Sequence, residues 1–218
     1  MKAISAFFIL VLLGCGGTAD QRIPESQRSG VVFVGDSIFH RWDLPTYFPN
    51  KAYVNAGVEG ERTDQILARL PQILSGQNVC NGFQTALTCQ TIPPPKLVII
   101  YAGWNDIFQL VDPAVADANI QNMVDLCKRQ GVDVVLVALA RFDPAFPHHT
   151  PNPFDAPADA INAGIRSIAT ETLTPEIPVI PLDQVFAGQQ GYTIDDTHPN
   201  ALGYSEMRDA FNHFLTGF

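Results

Sequence analysis

Charge is scarce in this chain of 218 residues. Only 16% of the side chains are Asp, Glu, Lys or Arg, and they lean acidic, with 13 basic against 22 acidic and a formal net charge of −9. No basic block occurs anywhere, which argues against binding a phosphate backbone as a main function, because such binding depends on clustered Lys and Arg. No apolar run approaches the roughly 20 residues that span a bilayer. Cysteines number four, and no two stand in a Cys-x-x-Cys spacing, so a zinc or thioredoxin-type site has no support. No internal repeat and no Gly-rich dinucleotide fingerprint is present. What the chain does have is apolar residues, 46% of the total. That share excludes general disorder, and the length suits one domain, or one domain with a tether.

The first residues have the pattern of an address. Lys2 is followed by an apolar stretch from Ile4 to Leu13 that is broken only by Ser5. One cation ahead of about ten apolar residues is a signal-peptide pattern. Leu12-Leu13-Gly14-Cys15 resembles a bacterial lipobox, which implies cleavage after Gly14 and lipidation of Cys15. The expected organisation is therefore a signal peptide over 1–14, a lipidated cysteine with a polar tether over 15–30, and a folded domain over 31–218. The expected location is the bacterial cell envelope, with the protein held to a membrane by its lipid, on the periplasmic or surface side. Several acyl chains on one residue give stable anchoring where a single chain is marginal. Of the other cysteines, Cys127 shares a helical stripe with Ala116, Ile120 and Met123, and is expected to be a buried, inert thiol. Cys80 and Cys89 flank a short stretch expected to form a surface loop. They could pair outside the cytoplasm, a closure worth roughly 2–3 kcal/mol.

The body alternates apolar runs with helical periods. Val31–Val34, Ala52–Val54, Leu97–Tyr101, Val134–Leu139 and the weaker Pro178–Ile180 suit strands buried on both faces, as in a parallel sheet covered by helices. Between them, Ile66, Leu67, Leu70, Ile73 and Leu74 mark one helix, with Pro71 expected to break or kink it. Asp112-Pro113 caps the helix that carries Cys127. Ile161, Ile165 and Ile168 mark another helix, and Met207, Phe211, Phe214 and Phe218 the last. The fold class that follows is α/β, a three-layer α/β/α sandwich around a five-stranded parallel sheet. Two insertions stand out, Gly76–Pro95 and the Pro- and Phe-rich Arg141–Pro157.

Ligands of open parallel sheets bind beyond the carboxyl ends of the strands. There the chain places Gly35-Asp36-Ser37, then Asn55 through Gly60, then Gly103-Trp104-Asn105-Asp106, and late in the sequence Asp195-Asp196-Thr197-His198-Pro199. Each alone has a plainer reading. Ser37 could cap a helix, Gly57 and Gly60 could serve turns, Asn105 and Asp106 could bond their own backbone, and Asp195 with His198 could be a surface pair. Together they supply the parts of a serine acyl hydrolase. Ser37 needs a base to become a nucleophile. His198 can take its proton, as imidazoles ordinarily titrate near pH ~6.5. Asp195 can hold the other ring nitrogen, with Asp196 the alternative. Backbone N–H groups of Ser37 and Gly60 and the amide of Asn105 can bind the oxyanion, each such donor typically worth ~3–4 kcal/mol.

These four blocks, in this order over residues 31 to 200, resemble those of the SGNH hydrolases, also called GDSL-type esterases. The resemblance implies a flavodoxin-like fold and ester hydrolysis with no metal and no cofactor. It assigns the nucleophile to Ser37, the acid and base to Asp195 and His198, and the oxyanion hole to Ser37, Gly60 and Asn105. Two departures are Ile38, where the family name has leucine, and Trp104 beside the oxyanion asparagine, where it could line an acyl pocket. No Gly-x-Ser-x-Gly elbow exists, which argues against the α/β-hydrolase alternative. His148 and His149 are expected to be solvated, His40 to cover the start of the helix after Ser37, and His213 to lie near the surface of the last helix. Phe142, Phe146 and Phe154 pack together or wall the pocket. The substrate expected is a small-molecule or polysaccharide ester. Competing readings are a carbohydrate deacetylase with sugar stacked on Phe39, Trp42 and Trp104, and a non-catalytic surface-binding lipoprotein.

Overall fold

Apolar runs free of charge can be buried only in the middle of a sheet, and they take that position in the computed structural model. It describes residues 22–141, 143–145, 153–171 and 176–216. The strands are β1 (Val31–Gly35), β2 (Tyr53–Glu59), β3 (Val79–Phe83), β4 (Ala86–Gln90), β5 (Leu97–Tyr101), β6 (Asp133–Ala138) and β7 (Val179–Pro181). They form one sheet in the order β4-β3-β2-β1-β5-β6-β7. All neighbours are parallel except β3 and β4. Every residue of β1 and β5 is buried, as continuous apolar strands require.

The sheet therefore has seven strands and not five. The extra pair is a hairpin built from the Gly76–Pro95 insertion. Its strands escape an apolar pattern because β4 is solvent-exposed along its whole length. The stretch between Cys80 and Cys89, expected as a loop, is this hairpin. The two cysteines face each other in its register and are joined by a disulfide. The second strand also runs further than its apolar run. It continues through Asn55 to Glu59, so Gly57 lies inside a strand and not in a turn.

The helices are α1 (Ser37–His40), α2 (Leu44–Tyr47), α3 (Thr63–Leu74), α4 (Trp104–Phe108), α5 (Pro113–Gln130), α6 (Asp155–Glu171), α7 (Leu182–Val185) and α8 (Ala201–Phe214). Helix α5 packs between α3 and α6, and α8 packs against α2. Asp112 accepts the N–H of Ala114 at 2.9 Å at the start of α5. Helix α3 runs through Pro71 to Leu74, so the proline falls in the last turn and does not end the helix. Cys127 is fully buried and its thiol pKa is pushed up to about 12 by that burial.

Beneath α8 the core is aromatic. Phe33 stacks on Phe211 with ring centroids 5.7 Å apart, and Phe39 and Trp42 close the cluster. Both Phe39 and Trp42 are buried, so neither can stack on a sugar. Residues 22–30, expected as tether, lie against the domain. Ser29 donates its N–H to the Pro94 carbonyl at 2.8 Å, and the Arg28 guanidinium donates to the carbonyls of Ile23, Gln130 and Gly131. The expected signal segment 1–14, Cys15, Phe142, Phe146, His148, His149 and Phe218 fall outside the described residues.

Gly57 is where α1 crosses β2. A Cβ there would stand 2.3 Å from the His40 backbone nitrogen. Gly57→Ala is expected to lower stability by about 1–3 kcal/mol or more through this overpacking. Thermal unfolding measures it, at roughly 2–4 °C per kcal/mol for a domain of this size. An unchanged melting temperature would mean that α1 yields without cost.

Candidate active site

Strand β1 sits between β2 and β5, with Gly35 opposite Gly57 on one side and Tyr101 on the other. The connections leave β1 in opposite directions here, so a crevice opens at its carboxyl end. Ser37 stands at this point as the first residue of α1. Asp36 caps the helix, its Oδ1 accepting the Ile38 N–H at 3.0 Å.

His198 arrives from the loop before α8, 161 positions away in sequence, and its Nε2 lies 2.9 Å from the Ser37 Oγ. Its Nδ1 lies 2.7 Å and 3.0 Å from the two carboxylate oxygens of Asp195. These partners put the ring proton on Nδ1 and leave Nε2 free to accept. Asp195 also accepts the backbone N–H of His198 at 2.8 Å. Burial pushes the Asp195 pKa up, but the backbone N–H and ring of His198 and the Thr197 N–H outweigh it and hold the carboxyl below its ordinary value. Asp195 is 48% exposed, so water screens its charge and its main effect is orientation. Asp196, the alternative orienter, instead accepts the Thr197 hydroxyl at 2.7 Å.

Gly60 and Asn105 line the same cleft as Ser37 and His198, a space of about 260 Å³ that Trp104, Phe108, Arg41 and Glu59 also border. Gly60 has φ +78°, a conformation that favours glycine at the point where β2 turns away. Asn105 is the second residue of α4, and its amide donates to the Glu61 carbonyl at 3.0 Å. Asp106 reaches beyond its own turn through its side chain. Its carboxylate accepts the N–H of Thr63 at 2.9 Å and the Thr63 hydroxyl at 2.7 Å, which ties α4 to the start of α3. Trp104 is buried, with its indole N–H donating to the Tyr101 hydroxyl at 3.0 Å. Its ring stacks on Phe108, which in turn meets Phe154 edge-on at 5.4 Å. One phenylalanine of the second insertion thus stands behind the cleft wall. Among the described residues no group of three His, Cys, Asp or Glu side chains is placed to hold a metal ion.

Two positioning residues were missed. Asp143, buried in the second insertion, accepts the backbone N–H groups of Gly191, Tyr192 and Thr193 at 2.7–3.0 Å. Asn200 accepts the N–H groups of Leu202 and Gly203 and donates to the carbonyls of Gly191 and Thr193. Between them they shape the loop that holds Asp195 and His198. Asn200 had a signal, as an Asn directly before an amphipathic run is a helix cap. Asp143 had none, because its partners lie almost fifty residues on. His40 does more than cover a helix start, with Nδ1 3.1 Å from the Asn81 amide oxygen in the hairpin.

Asp36 is fully buried, and its pKa is raised from 3.8 to about 7. Burial is the main cause, with the negative charges of Asp106 and Glu61 adding to it against the Ile38 N–H. Below pH ~4 the folded and unfolded chains both hold this proton. As pH rises toward 7 only the unfolded chain releases it, so Asp36 costs the fold stability that it does not cost in acid. Asp36→Asn keeps a good helix cap and removes the titration. Its melting temperature relative to the parent is therefore expected to climb between pH 4 and pH 8. Thermal unfolding across that range checks this, and a difference that does not change with pH would contradict it.

The comparisons with known proteins fit this geometry. A relative, an arylesterase from Vibrio mimicus, is 30% identical over 144 residues, covering 60% of this chain and 62% of its own length. The chain thus spans less than two thirds of that relative. In fold, a GDSL-like lipase from Bacteroides thetaiotaomicron superposes with a TM-score of 0.70 at 23% identity, over 89% of this chain and 91% of its own. An acetyl-xylooligosaccharide esterase from Geobacillus does so with a TM-score of 0.62 at 19% identity, over 88% and 96%. The sequence pattern of the GDSL-like lipase/acylhydrolase family matches residues 33–205, and the chain belongs to that family.

Proposed function

We propose that the protein hydrolyses carboxylic esters through a seryl acyl-enzyme. The observation that carries this reading is the unbroken chain of contacts from Ser37 through His198 to Asp195 on a cleft shared with Gly60 and Asn105. His198 Nε2 takes the Ser37 proton as Oγ attacks the ester carbonyl. Asp195 holds the ring through Nδ1 while it is charged. The backbone N–H groups of Ser37 and Gly60 and the Asn105 amide face the oxyanion. The tetrahedral adduct collapses, His198 gives its proton to the leaving alcohol, and water repeats the cycle on the acyl-enzyme.

The small cleft favours short acyl groups such as acetyl. Phe108, 41% exposed and backed by the buried ring of Trp104, offers an apolar wall to an aryl or acyl part. Phe39, Trp42 and Trp104 are all buried, so the three aromatics of a sugar-stacking site present no open face. In this reading the enzyme works in the cell envelope, held by lipid on Cys15. Cys15→Ser is expected to move the protein from the membrane to the soluble fraction, and continued membrane association would refute the anchor.

Hydrolysis of aryl acetates, compared with acetate release from acetylated xylo-oligosaccharides, tests the activity and ranks the substrates. Ser37→Ala should lower kcat by at least about 10³-fold, and Asn105→Ala by about 10²–10³-fold. Asp195→Ala should cost less than Ser37→Ala, because its role is orientation. Equal turnover by the parent and Ser37→Ala would end the proposal.

A further inference from the structure

Arg69 lies in the middle of α3, beneath the cleft and away from it. Its side chain is only 15% exposed, and nothing in the hydrolytic scheme uses it. Its hydrogen bonds go to three segments at once. Nε donates to the Glu61 carboxylate at 2.7 Å, while Nη2 donates to the Ala56 carbonyl at 2.7 Å and to the Gly35 carbonyl at 3.3 Å. Gly35 ends β1, two residues before Ser37. Ala56 lies in β2, four residues before Gly60. Glu61 follows Gly60 directly, and its own carbonyl accepts the Asn105 amide at 3.0 Å.

We infer that Arg69 is a positioning residue for the oxyanion hole, one guanidinium tying the end of β1 to β2 and to Glu61, the segments that present the N–H groups of Ser37 and Gly60, and reaching the Asn105 amide only through Glu61. The inference rests on the ester-hydrolase reading above and assigns no contact with substrate. The Gly35–Gly57 pair is the last rung between β1 and β2, and beyond it the two chains diverge into separate loops whose spacing the ladder fixes only at its end. A planar fork with fixed donor directions can set it, and a lysine cannot, because a single ammonium presents no such fork. The charge of Glu61, itself a buried carboxyl residue, explains why a cation fits there, and Arg69 forms the ion pair with it at 2.7 Å. Burial pulls the Arg69 pKa down against the charge of Glu61, which pulls it up. Oxyanion donors act in the transition state, so their misplacement should lower kcat and leave substrate binding nearly unchanged.

The test separates positioning from stability. Arg69→Lys keeps the charge and loses the fork. The double variant Arg69→Met with Glu61→Leu replaces the buried pair by apolar side chains, an exchange that is often neutral or stabilising. Melting temperature, kcat, KM and inhibition by phenylboronic acid, whose tetrahedral adduct mimics the oxyanion, are measured for each variant and for the parent. In folded variants kcat is expected to fall about 10- to 100-fold, with KM within about threefold and boronate inhibition weakened by at least about tenfold. If Arg69→Lys does not fold, the double variant alone decides. Any folded variant of either kind that keeps kcat within threefold of the parent overturns the inference. So does a loss confined to KM. A parent that is itself inactive and not labelled at Ser37 by a fluorophosphonate would instead overturn the ester-hydrolase reading, which keeps the two failures apart.

Discussion

Everything at the cleft depends on β1 being held between β2 and β5. The pairing of Gly35 with Gly57 and with Tyr101 ends β1 and β5 level with each other, while β2 runs two residues further to Glu59. The loops that follow then rise from one rim, Ser37 from the first, Gly60 from the second and Asn105 from the third. The approach is close enough that the backbone of α1 occupies the space a side chain at 57 would need. Moving β2 by one residue would reverse the faces of its side chains and carry Gly60 away from Ser37.

The acid and base come from elsewhere and need their own support. The loop of residues 191–200 carries no continuous secondary structure that could hold it. It is held by an isolated antiparallel bridge between Thr193 and Pro199 and by side chains, with Asp143 gathering its N–H groups from one side and Asn200 its carbonyls from the other. Asp143 comes from the second insertion, which is thereby part of the working site. The hairpin insertion reaches the opposite rim through Asn81 and His40. Both insertions connect the sheet to the cleft, consistent with long loops carrying function on a rigid scaffold. Loops held by hydrogen bonds to buried carboxylates keep their shape without a large apolar area of their own.

Much of this was legible in one dimension. The central strands showed as apolar runs because burial on both faces leaves no room for polar alternation. The site residues showed because catalysis demands particular atoms, and few residue types supply them. The hairpin was not legible, since an exposed edge strand such as β4 needs no apolar pattern. Nor was the length of β2, where Asn55 and the glycines look like turn residues. In place they are a strand crossed by α1, with the Asn55 amide donating to the carbonyls of Phe39 and Trp42. Phe39 and Trp42 had the composition of a sugar platform and the position of core, and composition cannot tell these apart.

Taken alone, the order of residues determined the layered α/β class, the family and the identity of the side chains that meet at the cleft. The class follows from local periodicity, the family from the resemblance of its four motif blocks, and the side chains from the chemistry each residue type can perform. Only the tertiary structure decided which buried charges serve as struts. Arg69, Asp106 and Asp143 each find partners in segments distant in sequence, and a polar residue carries no local mark of where its hydrogen bonds will go. Hydrophobic burial is written in the spacing of neighbours along the chain, whereas the partner of a buried charge is fixed only when the chain has closed around it.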